Sequence, residues 1–291
     1  HLGVPITVTE QYPKGLGPTD QSLITLCGNN TPVFAKTAFS ALKDDAIRSH
    51  VTRDAARKDL IIVGMEAHVC VLQTALDAVA KSIAAFERTP AFQPFSSKFD
   101  AVMRGQAKFT EQEQRGLSLF TIRQKGNCAS CHVVDEASRD PKKSLFTDFS
   151  YHALGLPRSM RIPKNATDAS YFDLGLCGPF RDTTPEKDPK GCGLFKVPTL
   201  RNIAITGPYM HNGLFDNLRD AVAYYATRDT DPKKWFPDGK KFNDLPPQFH
   251  ANVDVETPPY QRRPGQRAQL NDEEIDDIVA FLRTLTDGYK P

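Results

Sequence analysis

The pair Cys128-Ala-Ser-Cys131, followed at once by His132, constrains this chain more than any other feature. The C-x-x-C-H spacing is that of covalent c-type haem attachment. Two thiols must reach the two vinyl groups on one edge of a porphyrin, and the next residue must turn its imidazole under the iron as proximal ligand. A chain of this composition meets the pattern by chance only about 0.003 times. Other uses of the pair fit less well. A structural zinc site needs four ligands, and no second C-x-x-C exists. A thioredoxin-like pair would open a helix after a strand, and it would leave His132 unexplained. One covalent haem c is therefore expected, on Cys128 and Cys131 with His132 to the iron.

The flanks suit that expectation. Thr110-Glu-Gln-Glu113 reads as a capping box, so a helix should run from there to about Lys125 and stop at Gly126. Asn271-Asp-Glu-Glu274 opens a second helix with Ile275, Ile278, Val279, Leu282 and Leu285 on one face. Gly116 would let the two helices cross closely, and Phe120 would fill the contact. Small c-type domains pack such a pair together. Most of the 22 prolines lie beyond position 155, which predicts long loops there.

The 291 residues give a formal net charge of +2, so nothing in the charge balance suggests a hold on nucleic acid or an anionic membrane. Leu60 to Met65 is too short to cross a bilayer, and Gln73, Asp77 and Lys81 interrupt the apolar run from 69 to 86. No membrane span is expected.

Between the two helices lie Phe195-Lys-Val-Pro-Thr-Leu-Arg-Asn202, Thr206-Gly-Pro-Tyr-Met-His-Asn-Gly213 and Leu218-Arg-Asp-Ala-Val-Ala-Tyr-Tyr225. With Ile83-Ala-Ala-Phe-Glu-Arg88, Leu174-Gly-Leu-Cys-Gly-Pro179 and the haem motif, these segments resemble the C-terminal haem domain of the bacterial dihaem cytochrome c peroxidase and MauG family, from about 81 to 291. The resemblance implies a distal iron ligand at Tyr225, with Met210 and Tyr224 as alternatives and His152 also a candidate. A phenolate ligand favours ferric iron. It also implies a role for His211 in the electron path, and a calcium ion on main-chain oxygens of Thr206 and Pro208. Arg201 is a candidate partner for a haem propionate. Cys177 and Cys192 close a polar loop that would gain from a disulfide, which together with covalent haem points to the periplasm.

Residues 1–77 read differently from 78–291. Pro5-Ile-Thr-Val-Thr9 and Leu60-Ile-Ile-Val-Gly64 are short β-rich runs beside helix-like segments, a pattern suited to a parallel sheet. The segments 3–15, Lys36-Thr-Ala-Phe-Ser-Ala41 and 64–75 resemble the isochorismatase-like cysteine hydrolases. That resemblance implies a nucleophile at Cys70 and a catalytic lysine at Lys36. Its third member, an acid on a preceding strand, has no counterpart, so the segment is expected to be a catalytically inert fragment. The change of resemblance falls inside one helix, whose stripe is Leu72, Leu76, Val79, Ile83 and Phe86. The expected fold is thus a mainly α c-type cytochrome domain with long loops, preceded by a partial α/β fragment.

The functional expectation is a haem oxidoreductase with only the electron-transferring half of a peroxidase. The resemblance implies hydrogen peroxide as oxidant and a small redox protein as electron donor. The alternatives are a cysteine hydrolase with a haem tail and a non-enzymatic electron-transfer module.

Overall fold

The computed structural model describes residues 4–290 except 29, 55, 58, 66 and 179–183. Gly3, Glu66, Pro179 and Asp182, which fall in the segments above, lie outside the described residues. The chain divides into two compact units, His1–Pro94 and Phe95–Pro291.

In the first unit, strand β1 (Val8–Gln11) pairs in parallel with β2 (Val33–Lys36), Val8 opposite Val33 and Gln11 opposite Lys36. Parallel strands need a crossover, and helix α1 (Gln21–Cys27) supplies it. Asp20 starts α1 by accepting a hydrogen bond from the Ser22 amide. Helix α2 (Asp45–Val51) is capped in the same way by Asp44. The expected strand at Leu60–Gly64 is not formed. The run joins no ladder, and Ile61 and Val63 stand exposed at 78% and 85%. Its β-branched residues have the propensity but no neighbouring strand to pair with, and the second strand of the sheet is Val33–Lys36 instead.

Helix α3 (Leu72–Glu87) runs unbroken through 77–81. Its apolar stripe has the predicted spacing, yet Leu72, Leu76, Val79, Ile83 and Phe86 are all exposed. With the π-type turn Ala67–Val71 before it, the stretch Ala67–Glu87 has 21 residues, and an 18-residue window within it has a mean hydropathy of 1.5. By those two measures it reaches what a bilayer crossing needs, beyond the sequence-based expectation. Asp77 and Lys81 in its middle oppose insertion.

The second unit is built on the two predicted helices, α5 (Glu111–Thr121) and α7 (Asp272–Arg283), both with complete capping boxes. Helix α4 (Lys98–Met103) precedes them with a third, made by Ser97 and Asp100. A Cβ placed on Gly116 would lie 1.9 Å from the Asp277 carbonyl oxygen, so only glycine permits this crossing. Phe120 is 1% exposed and meets Phe281 at 5.3 Å between ring centroids. Helix α5 ends at Thr121, short of Lys125, because Ile122 turns extended.

Two hydrophobic cores result. One gathers Phe99, Phe120, Phe146, Ile278, Phe281 and Leu285; the other surrounds the Cys177–Cys192 disulfide with Leu156, Tyr224 and Phe236. Helix α6 (Leu218–Thr227) lies between them. Val222, Ala223 and Ala226 enter the first core, while Ala221 and Tyr224 enter the second. A short antiparallel pair, β3 (Tyr151–His152) and β4 (Phe195–Lys196), sets His152 opposite Phe195.

Candidate functional site

The C-x-x-C-H segment follows α5 through a turn that leaves no room for side chains. A Cβ on Gly126 would sit 2.7 Å from the Leu119 carbonyl oxygen and 3.1 Å from Cys128 Sγ. Asn127 adopts a left-handed conformation (φ 52°) and is tied down by Nδ2, which donates to the Pro258 carbonyl at 3.0 Å. A single 3-10 turn, Cys128–Ser130, then brings the His132 amide within 2.8 Å of the Cys128 carbonyl. Both sulfurs and the imidazole thereby come from one turn of chain.

The His132 ring is oriented by a backbone group. Nδ1 lies 2.9 Å from the Phe146 carbonyl oxygen. A carbonyl can only accept, so Nδ1 carries the proton and Nε2 keeps its lone pair. Burial holds this histidine below the usual imidazole range, which leaves it neutral at pH 7. A neutral imidazole with a hydrogen-bonded Nδ1 is the form that ligates a metal. Burial also pushes the Cys128 thiol up to about 12 and raises Cys131.

Tyr225 and Tyr224 part company on α6. Tyr224 is fully buried, and its hydroxyl donates to the Gly155 carbonyl at 2.8 Å. Tyr225 lies against Tyr260, 6.0 Å between centroids. Burial is the main cause that raises its phenol well above the usual range, and the next causes are Cys128 and Cys131. Its environment is therefore that of the cysteine pair. Met210 packs instead against the core around the disulfide.

The remaining predicted residues fall in several places. His211 stacks on Phe195, 3.5 Å between centroids and 6° from parallel, with Nε2 3.1 Å from Asp244 Oδ2. His152 Nε2 lies 3.5 Å from Cys131 Sγ and 3.0 Å from Ser150 Oγ. Arg201 uses all three of its nitrogens on protein. Nη1 donates to the fully buried Asp100 at 2.6 Å, and Nε and Nη2 donate to the Ser144 and Pro141 carbonyls. Its guanidinium lies over the rings of Phe95, Phe99 and Phe146. With these contacts Arg201 closes an internal cage. Thr206 and Pro208 lie on an exposed turn. Two carbonyls supply only part of the about six oxygens that calcium requires, so the remaining ligands would have to come from elsewhere.

In the first unit, Lys36 and Cys70 do come together. Lys36 Nζ lies 3.6 Å from Cys70 Sγ and 2.5 Å from Gln11 Oε1. Sequence reasoning missed Gln11, and in the second unit it missed Phe146, Arg228 and Asp100. Arg228 is wholly buried, pairs with Asp229, and stacks on Tyr260 at 4.0 Å. Only its position one turn beyond the tyrosine pair hinted at a role.

A crossed helix pair that leads into a C-x-x-C-H turn, with a locked histidine beneath, is the build of a c-type cytochrome. The chain is homologous to the MauG and cytochrome-c peroxidase proteins, and it begins with an isochorismatase-like segment. The methylamine utilization protein MauG of Paracoccus denitrificans (strain Pd 1222) is 36% identical over 75% of this chain and 54% of its own length. The crystal structure of the diheme peroxidase BthA from Burkholderia thailandensis E264 superposes with a TM-score of 0.69 at 37% identity, covering 87% of this chain and 60% of that one. The isochorismatase domain model matches residues 1–85. Isochorismatase family protein 1A of Dictyostelium discoideum is 42% identical over 26% of this chain and 38% of its own. The chain thus spans about half the length of the MauG relative and less of the hydrolase one. The hydrolase match reaches past 77 into Ile83–Arg88, where the other resemblance begins, so the two overlap within α3.

Proposed function

We propose that this chain is the electron-transferring half of a haem c oxidoreductase of the MauG and cytochrome-c peroxidase kind, and that it works in the periplasm. The observation that carries this reading is the His132 imidazole, its Nδ1 proton held by the Phe146 carbonyl, in one turn with Cys128 and Cys131 and with the half-buried Tyr225 in the surroundings of the cysteine pair. The residues fit the group. Two protonated thiols are available for thioether bonds, and a neutral imidazole and a phenol could both hold the iron. Haem c, when bound, supplies one-electron chemistry at its iron.

The protein residues do the rest. Cys128 and Cys131 anchor the porphyrin edge. The Phe146 carbonyl keeps His132 in one tautomer and one orientation. Burial keeps Tyr225 protonated until a cation lies against its oxygen, so this phenol becomes a ligand only beside a metal. His132 and Tyr225 would together hold the iron, and on this reading the chain would relay electrons from a small redox protein. The disulfide suits an oxidising compartment, and haem attachment to C-x-x-C-H in bacteria takes place outside the cytoplasm.

The test is a pyridine haemochrome assay with intact mass, followed by low-temperature spin-state spectroscopy of Tyr225→Phe. One covalent haem is expected, and the variant should lose the low-spin signal of the parent. A colourless protein, or a variant with an unchanged spectrum, would count against the assignment.

A further inference from the structure

Three side chains able to ligate a metal meet beside the cysteine turn. We propose that Cys131, Asp148 and His152 bind a divalent transition-metal ion of the zinc class before haem is attached, and that ion and haem compete for Cys131. The first half stands on the cluster alone; the second rests on the haem assignment above.

Backbone bonds bring these residues together. The Asp148 amide donates to the Cys131 carbonyl at 2.8 Å, and the Phe146 amide donates to the Val133 carbonyl at 3.1 Å. The chain from Phe146 is thus laid along the C-x-x-C-H turn, and β3 then carries His152 opposite Phe195 of β4. Ser150 ties the two outer ligands to each other. Its hydroxyl donates to Asp148 Oδ1 at 2.6 Å and lies 3.0 Å from His152 Nε2.

The separations fit a small ion. One ligand atom from each residue lies within 4.8 Å of the other two. Cys131 Sγ and His152 Nε2 are 3.5 Å apart. Zinc bonds of about 2.3 Å to sulfur and about 2.0 Å to nitrogen, opened to the tetrahedral angle, set two such atoms about 3.5 Å apart. An ion can therefore enter between them with little movement. Asp148 is exposed, while Cys131 and His152 are partly buried. The cluster opens to solvent on the Asp148 side, where the carboxylate has room to close in and water can be the fourth ligand. A thiolate, a carboxylate and a neutral imidazole balance the two charges of the ion. Sulfur and nitrogen donors select zinc, cobalt or copper over magnesium and calcium, which take oxygen.

The rest of the motif points elsewhere. Cys128 packs against the first core, and the His132 ring is held by the Phe146 carbonyl. Cys131 is the member that both uses share. Once its sulfur is bonded to a vinyl carbon it is a thioether, a weaker ligand than the thiolate. Attachment would release the ion, and a bound ion would delay attachment.

The experiment uses the full chain made without haem and kept reduced. It is titrated with Zn2+ against a chromophoric chelator, and Co2+ reads the ligands. One ion per chain is expected, with a sulfur-to-metal charge-transfer band in the cobalt form. Loss of an outer partner of a metal ligand typically costs about 10- to 100-fold in affinity. Ser150→Ala should therefore weaken zinc binding about tenfold, and His152→Ala or Asp148→Ala at least as much. The exposed Asp148 keeps the test open if His152→Ala does not fold. The haem-loaded chain should bind zinc at least about tenfold more weakly than the haem-free one. Absence of binding, parent affinity in all three variants, or loss in Cys128→Ser without loss in His152→Ala would overturn the site. Equal affinity with and without haem would overturn the competition. A chain that binds zinc but never acquires haem would refute the haem assignment and the competition with it, while the site stands.

Discussion

Replacing Gly116 by alanine tests the helix crossing on which the cysteine turn is built. At an unobstructed helix position the change would stabilise the protein by about 1 kcal/mol. Here the new methyl would fall 1.9 Å from the Asp277 carbonyl oxygen and 2.8 Å from Phe281 Cβ. Neither can swing aside, since one is backbone and the other is the root of a fully buried ring. Helices α5 and α7 must part by about 1 Å or more, which loosens the Phe120–Phe281 contact and opens voids in a close-packed core. Overpacking of this kind costs about 1–3 kcal/mol and outweighs the propensity gain. The Arg115–Asp277 pair at the same crossing adds little, because Arg115 is mostly exposed. The assay is denaturant unfolding followed by fluorescence of Trp235, the chain's single tryptophan, which lies in the second unit and so reports that unit alone. The midpoint should drop with the slope unchanged. A variant as stable as the parent, or more stable, would refute the reasoning from the built Cβ.

Two further outcomes follow from the same structure. Asp100→Asn keeps the shape of a side chain that is 0% exposed but removes the carboxylate that pairs with Arg201, and should cost about 3 kcal/mol in the same unfolding assay; a loss under about 0.5 kcal/mol would show that the carbonyls and rings alone satisfy the guanidinium. Replacing Cys177 and Cys192 together by serine reopens a loop of sequence separation 15 and should lower stability by about 3 kcal/mol, an effect that mild reduction of the parent protein should reproduce and that an unchanged midpoint would exclude.

Much of the second unit is legible because its signals are local. Thr110 with Glu113, and Asn271 with Glu274, announce helix starts within four residues, and the apolar face of α7 repeats at helical spacing. Gly116 stands out for the same reason, as the one residue without a side chain on a face that must meet another helix. The haem motif needs only five consecutive residues. What stays hidden depends on partners far away in the chain. Phe146 orients His132 through a backbone carbonyl, which no side-chain pattern encodes. Arg201 reads as a free cation until Asp100, 101 positions earlier, is seen beside it. In the first unit the β-branched run Leu60–Gly64 looks more strand-like than Val33–Lys36, yet only the latter has a neighbour to pair with. Periodicity likewise gave the helix through Leu72 and Phe86 but not its exposure, since spacing tells which residues share a face and not what lies against it.

The choice between two adjacent tyrosines is made by residues that touch no ligand. Neighbours on a helix point about 100° apart, so α6 can send only one of the pair towards the cysteines. Its rotation is set from both sides, by Val222, Ala223 and Ala226 in one core and by Ala221 and Tyr224 in the other. The Tyr224 hydroxyl on the Gly155 carbonyl locks that rotation with a hydrogen bond that burial makes expensive to break. At the C-terminal end, Arg228 lies under Tyr260 and bonds the Leu154 and Asp254 carbonyls. Leu154 adjoins Gly155, so Tyr224 and Arg228 grip the same stretch of loop one helical turn apart. A rotation large enough to exchange the tyrosines would pull Tyr224 out of the second core and part Arg228 from the Leu154 and Asp254 carbonyls. Tyr225 is thus directed to the cysteine pair by the packing of its neighbours, and the ligand role proposed for it would need no rearrangement of the helix that carries it.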